Sequence, residues 1–383
     1  MVKSLPEQFE EFSEARRNGF LQVKQIKEEG GLIAGIFCTF TPCEILDAAG
    51  IIPVSLCGMS NETVGAAEAH LPKNLCPLIK SSYGFAVTDK CPYTYFSDLI
   101  VGETTCDGKK KMYELLGRIK EVYVLHLPQG SDCDYAQEMW TQELRRFISY
   151  LEDRFQADIT EEKLRQAAHI RNQERALRCS LMELQRLDPP PMWGYQLYKA
   201  LEGAGFRLHR EEILQSLEQL KGEVVKAYQR GECPVPSGAK RILITGCPIG
   251  GVLEKTVGVI EDLGGVVVCF ENCSGIKAAW QMVDEGAEDI VGAIARRYLN
   301  IGCSVMTPNR HRMELLAKLA EDYRADAIVE IVLQACHTYA VEADSVCSLA
   351  DELKIPYLKI EADYSTSDLE QLRTRMEALL EML

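Results

Sequence analysis

The stretch Leu99 to Cys106, LIVGETTC, constrains the fold of this chain more than any other. An apolar run of strand-forming residues ends on a cysteine, and Asp107-Gly108-Lys109 then opens a polar, helix-like segment. The pattern returns at Ile36-Phe37-Cys38, Ile242 to Cys247, Val266 to Cys273 and Ile331 to Cys336. Strands that alternate with helices predict a parallel, doubly wound sheet. Such a sheet takes its ligands beyond the carboxyl ends of its strands. Cysteines delivered repeatedly to those ends point to iron–sulfur chemistry at that edge.

Taken in order, the chain opens with an amphipathic helix over residues 1–30, built on Phe9, Phe12, Phe20, Val23 and Ile26 and stopped by Gly30-Gly31. Strands follow at Leu32 to Phe37, Ile51 to Cys57, Leu99 to Thr104 and Val122 to Leu127. Between them, helices start at Thr41-Pro42 and Cys76-Pro77, with proline in the first turn, and close at Gly50 and Gly84. From about Asp134 to Arg230 strand signals disappear, and helical spacing takes over, as in Trp140, Leu144, Phe147 and Leu151. Thr160-Glu161-Glu162 is a helix start with a capping hydroxyl and acids in the first turn. After the linker Cys233 to Gly238 the strand–helix pattern resumes, with strands at Arg241 to Thr245, Val266 to Phe270, Ala327 to Leu333 and Ile355 to Ile360. A helix is expected over Leu253 to Leu263, and another closes the chain over Asp368 to Leu383. The organisation is therefore an α/β domain at 1–133, a helical bridge at 134–236 and a second α/β domain at 237–383. The two α/β parts read as diverged copies: Cys38–Pro42–helix–Gly50–strand–Cys57 matches Cys247–Pro248–helix–Gly264–strand–Cys273, and Asp98 to Cys106 matches Asp326 to Cys336. Two Rossmann-like domains of this kind would turn their cysteine-bearing edges into one cleft.

Composition narrows the chemistry. Fifteen cysteines occur with no apolar signal-peptide core at the amino terminus, which predicts a cytoplasmic, reduced protein without structural disulfides. No apolar run of about 18 residues predicts a membrane span. The net charge of −15 argues against nucleic acid as the main partner. Cys133, Cys179, Cys233, Cys269 and Cys347 lie in helix, linker or strand interior and read as small buried apolar residues. The others cluster at strand ends. There a following helix N-terminus favours a thiolate and offers N–H groups to a bound cluster. No C-x-x-C occurs, which argues against zinc ribbons, thioredoxin-like redox motifs and ferredoxin spacing. Gly246 to Gly251 begins like a phosphate loop but runs into Val252-Leu253 where Lys-Ser/Thr is required, and no G-x-G-x-x-G is present. A single nucleophilic cysteine would best be Cys336, beside His337.

Other polar residues carry two readings each. His337 either donates protons at a metal site or bonds a backbone carbonyl. Glu103, three residues before Cys106 in an apolar strand, is either an acid of raised pKa or a hydrogen-bonded core residue. Lys109-Lys110-Lys111 reads as a solvated helix face. Tyr364-Ser365-Thr366 lines a pocket or caps the last helix.

These segments together resemble a known family. CTFTPCEILDAAGIIPVSLCG, NLCPLIKSSYGF, SDLIVGETTCDGKKKMYE, ILITGCPIGG, ENCSG, IGCSVMTPN and LQACHTYAVE are similar to the 2-hydroxyacyl-CoA dehydratase D-component family along nearly the whole chain. DKCPYTYFSD, TTCDGKKKMYE and QACHTYAVE resemble the double-cubane-cluster proteins more than the dehydratases proper. The resemblance implies a [4Fe–4S] cluster on the matching Cys76, Cys106 and Cys336. In the double-cubane branch it implies an [8Fe–9S] cluster needing three further thiolates from Cys38, Cys91, Cys247, Cys273 and Cys303, with Cys38, Cys273 and Cys303 favoured because their loops should share the cleft. It also implies a homodimer fed low-potential electrons by a separate cluster-containing ATPase, in keeping with the missing phosphate loop. The double-cubane relatives reduce small molecules, whereas the dehydratases eliminate water from 2-hydroxyacyl-CoA through a ketyl radical. A carrier or maturation protein without turnover is the third alternative. His337 and Glu103 are the candidate proton donors.

Overall fold

A computed structural model of the chain describes residues 19, 21–205 and 207–383. Of the expected first helix, residues 21–28 are helical with Val23 and Ile26 buried; Phe9, Phe12 and Phe20 lie outside the described residues. The chain divides into two compact units. The first takes in Arg17–Arg175 and Gln281–His311; the second takes in Ala176–Trp280 and Arg312–Leu383.

Each unit is built on one four-stranded, all-parallel sheet. In the first, β1 (Leu32–Ile36), β2 (Ile51–Ser55), β3 (Leu99–Glu103) and β4 (Val122–Leu125) lie in the order β2-β1-β3-β4. In the second, β5 (Lys240–Gly246), β6 (Gly265–Phe270), β7 (Ala327–Leu333) and β8 (Tyr357–Ala362) repeat it as β6-β5-β7-β8. All eight expected strands form, and the equal strand orders bear out the mixed α/β architecture with two Rossmann-like sheets. A shared anchoring detail marks the copies. Asp98 accepts the Ile33 N–H at 2.9 Å and donates its own N–H to the Ile33 carbonyl at 2.8 Å. Asp326 does the same with Arg241, at 2.7 Å in both directions. Each aspartate thus locks the start of the third strand of its unit to the first.

The core of the first unit follows from helical periodicity. Trp140, Leu144, Phe147 and Leu151 recur on one face of the Ala136–Phe155 helix and are fully buried. They pack with Ala34, Leu99 and Val101 of the sheet and with Ile290, Ile294 and Leu299 of the Ile290–Leu299 helix. Each such side chain contributes roughly 1.5–3 kcal/mol of burial. In the second unit the Gly194–Ala204 helix lies on β6. A Cβ on Gly194 would sit 2.3 Å from the Val267 carbonyl oxygen, so only glycine permits the approach. Glu261 accepts the Gly194 and Tyr195 N–H groups at 2.7 and 3.2 Å, satisfying the start of that helix. Thr160 caps the Glu161–Glu183 helix through the Lys163 N–H at 3.3 Å.

Three local expectations need correction, besides Cys133, which is exposed rather than buried. The helix from Pro77 does not close at Gly84 but runs to Val87. Gly84 is there because the Thr63 carbonyl oxygen would lie 2.1 Å from a Cβ. The single helix expected over Leu253 to Leu263 is a 3₁₀ turn (Gly250–Val252), a π-helical turn (Glu254–Gly258) and an α turn (Val259–Asp262). Thr256 Oγ1 bonds the Val252 carbonyl at 2.7 Å, and the Gly258 N–H reaches back five residues to Leu253 at 3.1 Å. Finally, Lys109 is buried, whereas Lys110 and Lys111 pair at the surface with Asp107 and Glu114. Among the described residues no helix is long and apolar enough to cross a membrane.

Candidate functional site

Cys76, Cys91, Cys106 and Cys336 each occupy the N-cap of a helix, with Pro77 and Pro92 as the first helical residues after two of them. A cap residue normally donates a side-chain acceptor to the first free N–H groups; none of the four does so. A helix N-terminus favours negative charge through its free N–H groups and its dipole, so a cysteine at the cap stands where an anionic group can be held. Cys106 and Cys336 hold the same place in the two sheets, three residues beyond β3 and β7.

In the first unit, Ile36 of β1 and Ser55 of β2 are paired, so Cys38 and Cys57, each two residues on, leave the sheet together. The Phe37 carbonyl between them accepts Cys57 Sγ–H at 3.2 Å and Lys109 Nζ at 3.1 Å. Gly108, two residues after Cys106, lies against Leu75 and Ile79, which flank Cys76; a Cβ there would meet Ile79 Cδ1 at 2.7 Å. That contact brings the helix starts capped by Cys76 and Cys106 together. Gly102 has no side chain because the Tyr113 ring lies on it, 2.4 Å from where a Cβ would be. Cys303 is buried in a loop of the same unit. Its carbonyl accepts Asn309 Nδ2 at 2.9 Å, Thr307 N–H bonds the Gln129 carbonyl at 2.7 Å, and Gln129 Nε2 bonds the Thr104 carbonyl at 3.0 Å. The Cys303 loop is thus tied to the turn that ends in Cys106.

The electrostatics of this edge are unusual. Glu103 is fully buried; burial pushes its carboxyl up to about 7, against the pull of the Thr41 hydroxyl that bonds Oε1. Its Oε2, Tyr113 Oη, Thr39 Oγ1 and Thr105 Oγ1 are all buried without a hydrogen-bond partner. Native proteins leave few such atoms, and each calls for an explanation. These four bracket Cys38 and Cys106. Burial works against the charge of Lys109, yet the groups around it, Cys38 foremost, raise its pKa well above the ordinary value.

In the second unit, Ala335 at φ +56 turns the chain from β7 into Cys336, whose Sγ lies 3.9 Å from Thr338 Oγ1. His337 is exposed at the first helical position. Cys247 is buried, and its sulfur accepts the Leu333 N–H at 3.3 Å. Cys273 follows Asn272, which is buried with Nδ2 unpartnered. Beneath this edge Arg312, fully buried, bonds Glu271 (3.3 Å), Glu330 (3.0 Å), Thr245 (2.8 Å) and Glu342. Lys277 pairs with Glu271 at 3.1 Å and donates to Tyr339 Oη at 2.7 Å, on the helix that Cys336 caps.

Of the expected site residues, the first unit gathers Cys38, Cys76, Cys106 and Glu103 at one sheet edge and ties Cys303 to it; Cys273 and Cys336 stand at the sheet edge of the second. Cys91 caps the five-residue Pro92–Phe96 helix upstream of β3. Sequence reasoning missed Lys109, Tyr113 and Cys57. Among the described residues, no three or more His, Cys, Asp or Glu converge on a point that could hold a single metal ion. A cluster spreads its thiolates over several irons, and the donor set here is thiol-rich with helix N–H groups, a cation and orphaned polar atoms beside it. That set fits an anionic iron–sulfur group.

The family model described as 2-hydroxyglutaryl-CoA dehydratase, D-component, matches residues 38–383. "Putative dehydratase subunit YjiM" of Escherichia coli (strain K12) is 48% identical over 384 residues, covering 100% of both chains. The (R)-phenyllactyl-CoA dehydratase beta subunit of Clostridium sporogenes is 22% identical over 94% of each chain. A benzoyl-CoA reductase component of Thauera aromatica is 22% identical over 87% of this chain and 86% of its own. The duplicated sheet, its cysteine-capped helices and the match from Cys38 to the last residue agree: the chain belongs to the 2-hydroxyglutaryl-CoA dehydratase D-component family.

Proposed function

We propose that this protein is the iron–sulfur component of a two-part reductase. Cys38, Cys76, Cys106, Cys273, Cys303 and Cys336 would hold an [8Fe–9S] double cubane, and a small molecule would be reduced. When bound, the cluster supplies low-potential electrons, delivered to it by a separate cluster-containing ATPase. A homodimer in the cytoplasm is part of the same reading. The observation that carries it is the concentration of thiols, orphaned buried polar atoms and one buried ammonium at the edge around Cys38 and Cys106. Glu103, its carboxyl raised by burial to about 7, is partly protonated near neutral pH and would be the internal proton donor. His337, being exposed, would pass protons from solvent.

The second reading is a 2-hydroxyacyl-CoA dehydratase subunit with one [4Fe–4S] cluster on Cys76, Cys106 and Cys336. The names of the relatives favour it, since the Clostridium sporogenes protein is a dehydratase beta subunit. Iron and sulfide analysis of anaerobically purified protein separates the two. About eight irons per chain supports the double cubane, and about four the dehydratase cluster. A protein without iron loses both readings. A loaded protein that turns over nothing with ATPase, reductant and small substrates is a carrier.

A further inference from the structure

Lys109 has no part in the ligand set assigned above. It is 9% exposed, and its ammonium hydrogen-bonds the Phe37 carbonyl at 3.1 Å, at the peptide that leads into Cys38. Among the described residues no carboxylate pairs with it within 4.0 Å, unlike Lys110, which pairs with Asp107 at 2.7 Å. A buried ammonium without an anion is costly, so negative charge must reach it from its surroundings. Burial pushes the Tyr113 hydroxyl well up and the Glu103 carboxyl up to about 7, against the pull of Lys109 on both, so Tyr113 supplies no charge and Glu103 only part of one near neutral pH. Cys57 Sγ–H donates a hydrogen bond to the same Phe37 carbonyl. Cys38 and Cys106 also act on it electrostatically, and a cluster held on them would bring a full anion to this edge.

We propose that Lys109 is the fixed counter-cation of this cysteine edge, a positioning residue that sets how readily the group held there accepts an electron. The assignment rests on the iron–sulfur reading above. A positive charge in a buried, weakly screened place favours the more negative, reduced state of a neighbouring group. Its removal must lower the reduction potential.

The test uses full-length protein, purified and loaded anaerobically, as wild type, Lys109→Met, Lys109→Arg and Lys110→Met. Midpoint potentials are read by spectroscopically monitored redox titration, and iron is counted in each sample. Lys110→Met removes the same formal charge from the same helix, but from a solvated pair. The expected result is a fall for Lys109→Met of at least tenfold in the reduced-to-oxidised ratio at fixed poise, which is ~59 mV for a one-electron couple. Lys109→Arg should stay near wild type, as should Lys110→Met. An unchanged potential in Lys109→Met with full iron, or an equal fall in Lys110→Met, overturns the assignment of Lys109 and leaves the iron–sulfur reading standing. A wild type that binds no iron removes both. Should Lys109→Met not load, Lys109→Arg decides: wild-type iron supports the charge requirement, and loss of iron there too overturns it.

Discussion

Arg312→Met is the perturbation whose cost follows most directly from the structure. The guanidinium is fully buried and donates to Glu271, Glu330, Thr245 and Glu342. Lys277 remains on Glu271 at 3.1 Å and Tyr357 on Glu330 at 2.7 Å. With Arg312 present the cluster sets three carboxylates against two cations; without it, three face one, and two of those carboxylates are completely buried. Methionine refills most of the volume, so the cavity contribution is small. The loss is that of removing one partner from a buried ion-pair network, about 4 kcal/mol. For a unit of this size that is a fall in Tm of roughly 10 °C. Differential scanning calorimetry of the anaerobic protein measures it. Glu330→Gln added to Arg312→Met should recover part of the loss, because it removes one stranded charge. A deficit under about 1 kcal/mol, or a double variant no better than the single one, would falsify the view that the network is a stabilising unit beneath Cys336.

The other predictions concern the sheet edges. Between pH 4.5 and 7 the folded protein holds the Glu103 proton while the unfolded chain has released it, so stability falls as pH rises through that window. The fall is about 3 kcal/mol; Glu103→Gln should flatten this part of a Tm–pH profile, and an unchanged profile contradicts the buried-acid assignment. Gly246→Ala forces φ +106 on alanine and brings a Cβ 2.3 Å from the Ile331 carbonyl. It should cost at least about 2 kcal/mol, and a wild-type Tm would count against the geometry of the loop before Cys247. Cys106→Ala should lose at least half of the bound iron, whereas Cys179→Ala, on the Glu161–Glu183 helix, should keep it all; equal iron in the two variants contradicts the ligand assignment.

The edge residues show where sequence patterns suffice and where they do not. Glu103 stands out in the sequence as a carboxyl in an apolar strand, and the structure buries it completely. Lys109 is misplaced by its neighbours, because three consecutive lysines read as one charged face. A signal is present nonetheless: Lys109, Met112, Tyr113 and Leu116 recur at i, i+3, i+4 and i+7, and all four are buried. Charge alone suggests solvent, whereas period puts Lys109 inside. Gly102 carries a further hint, as a glycine inside a strand marks the close approach of another group; here it is the Tyr113 ring. Cys57 gives no separate signal, since its hydrogen bond to Phe37 depends on the register of β1 with β2.

The number and kind of elements were written in the sequence: eight strands, two equivalent sheets, and cysteines just past the strand ends. Those depend on local periodicity and chain direction, which are encoded residue by residue. How segments are shared between the compact units emerged only on folding. Residues 281–311 return to the unit of Arg17–Arg175, and the helical stretch from 134 to 236 divides between both units near Arg175. Burial of the Ile290–Leu299 helix against the Ala136–Phe155 helix is what secures that return. No local pattern specifies which apolar face another will cover. The same holds at the cysteine edge: its thiols are legible one by one, but the buried ammonium, the orphaned hydroxyls and the raised carboxyl arise only when distant segments exclude water from a common space.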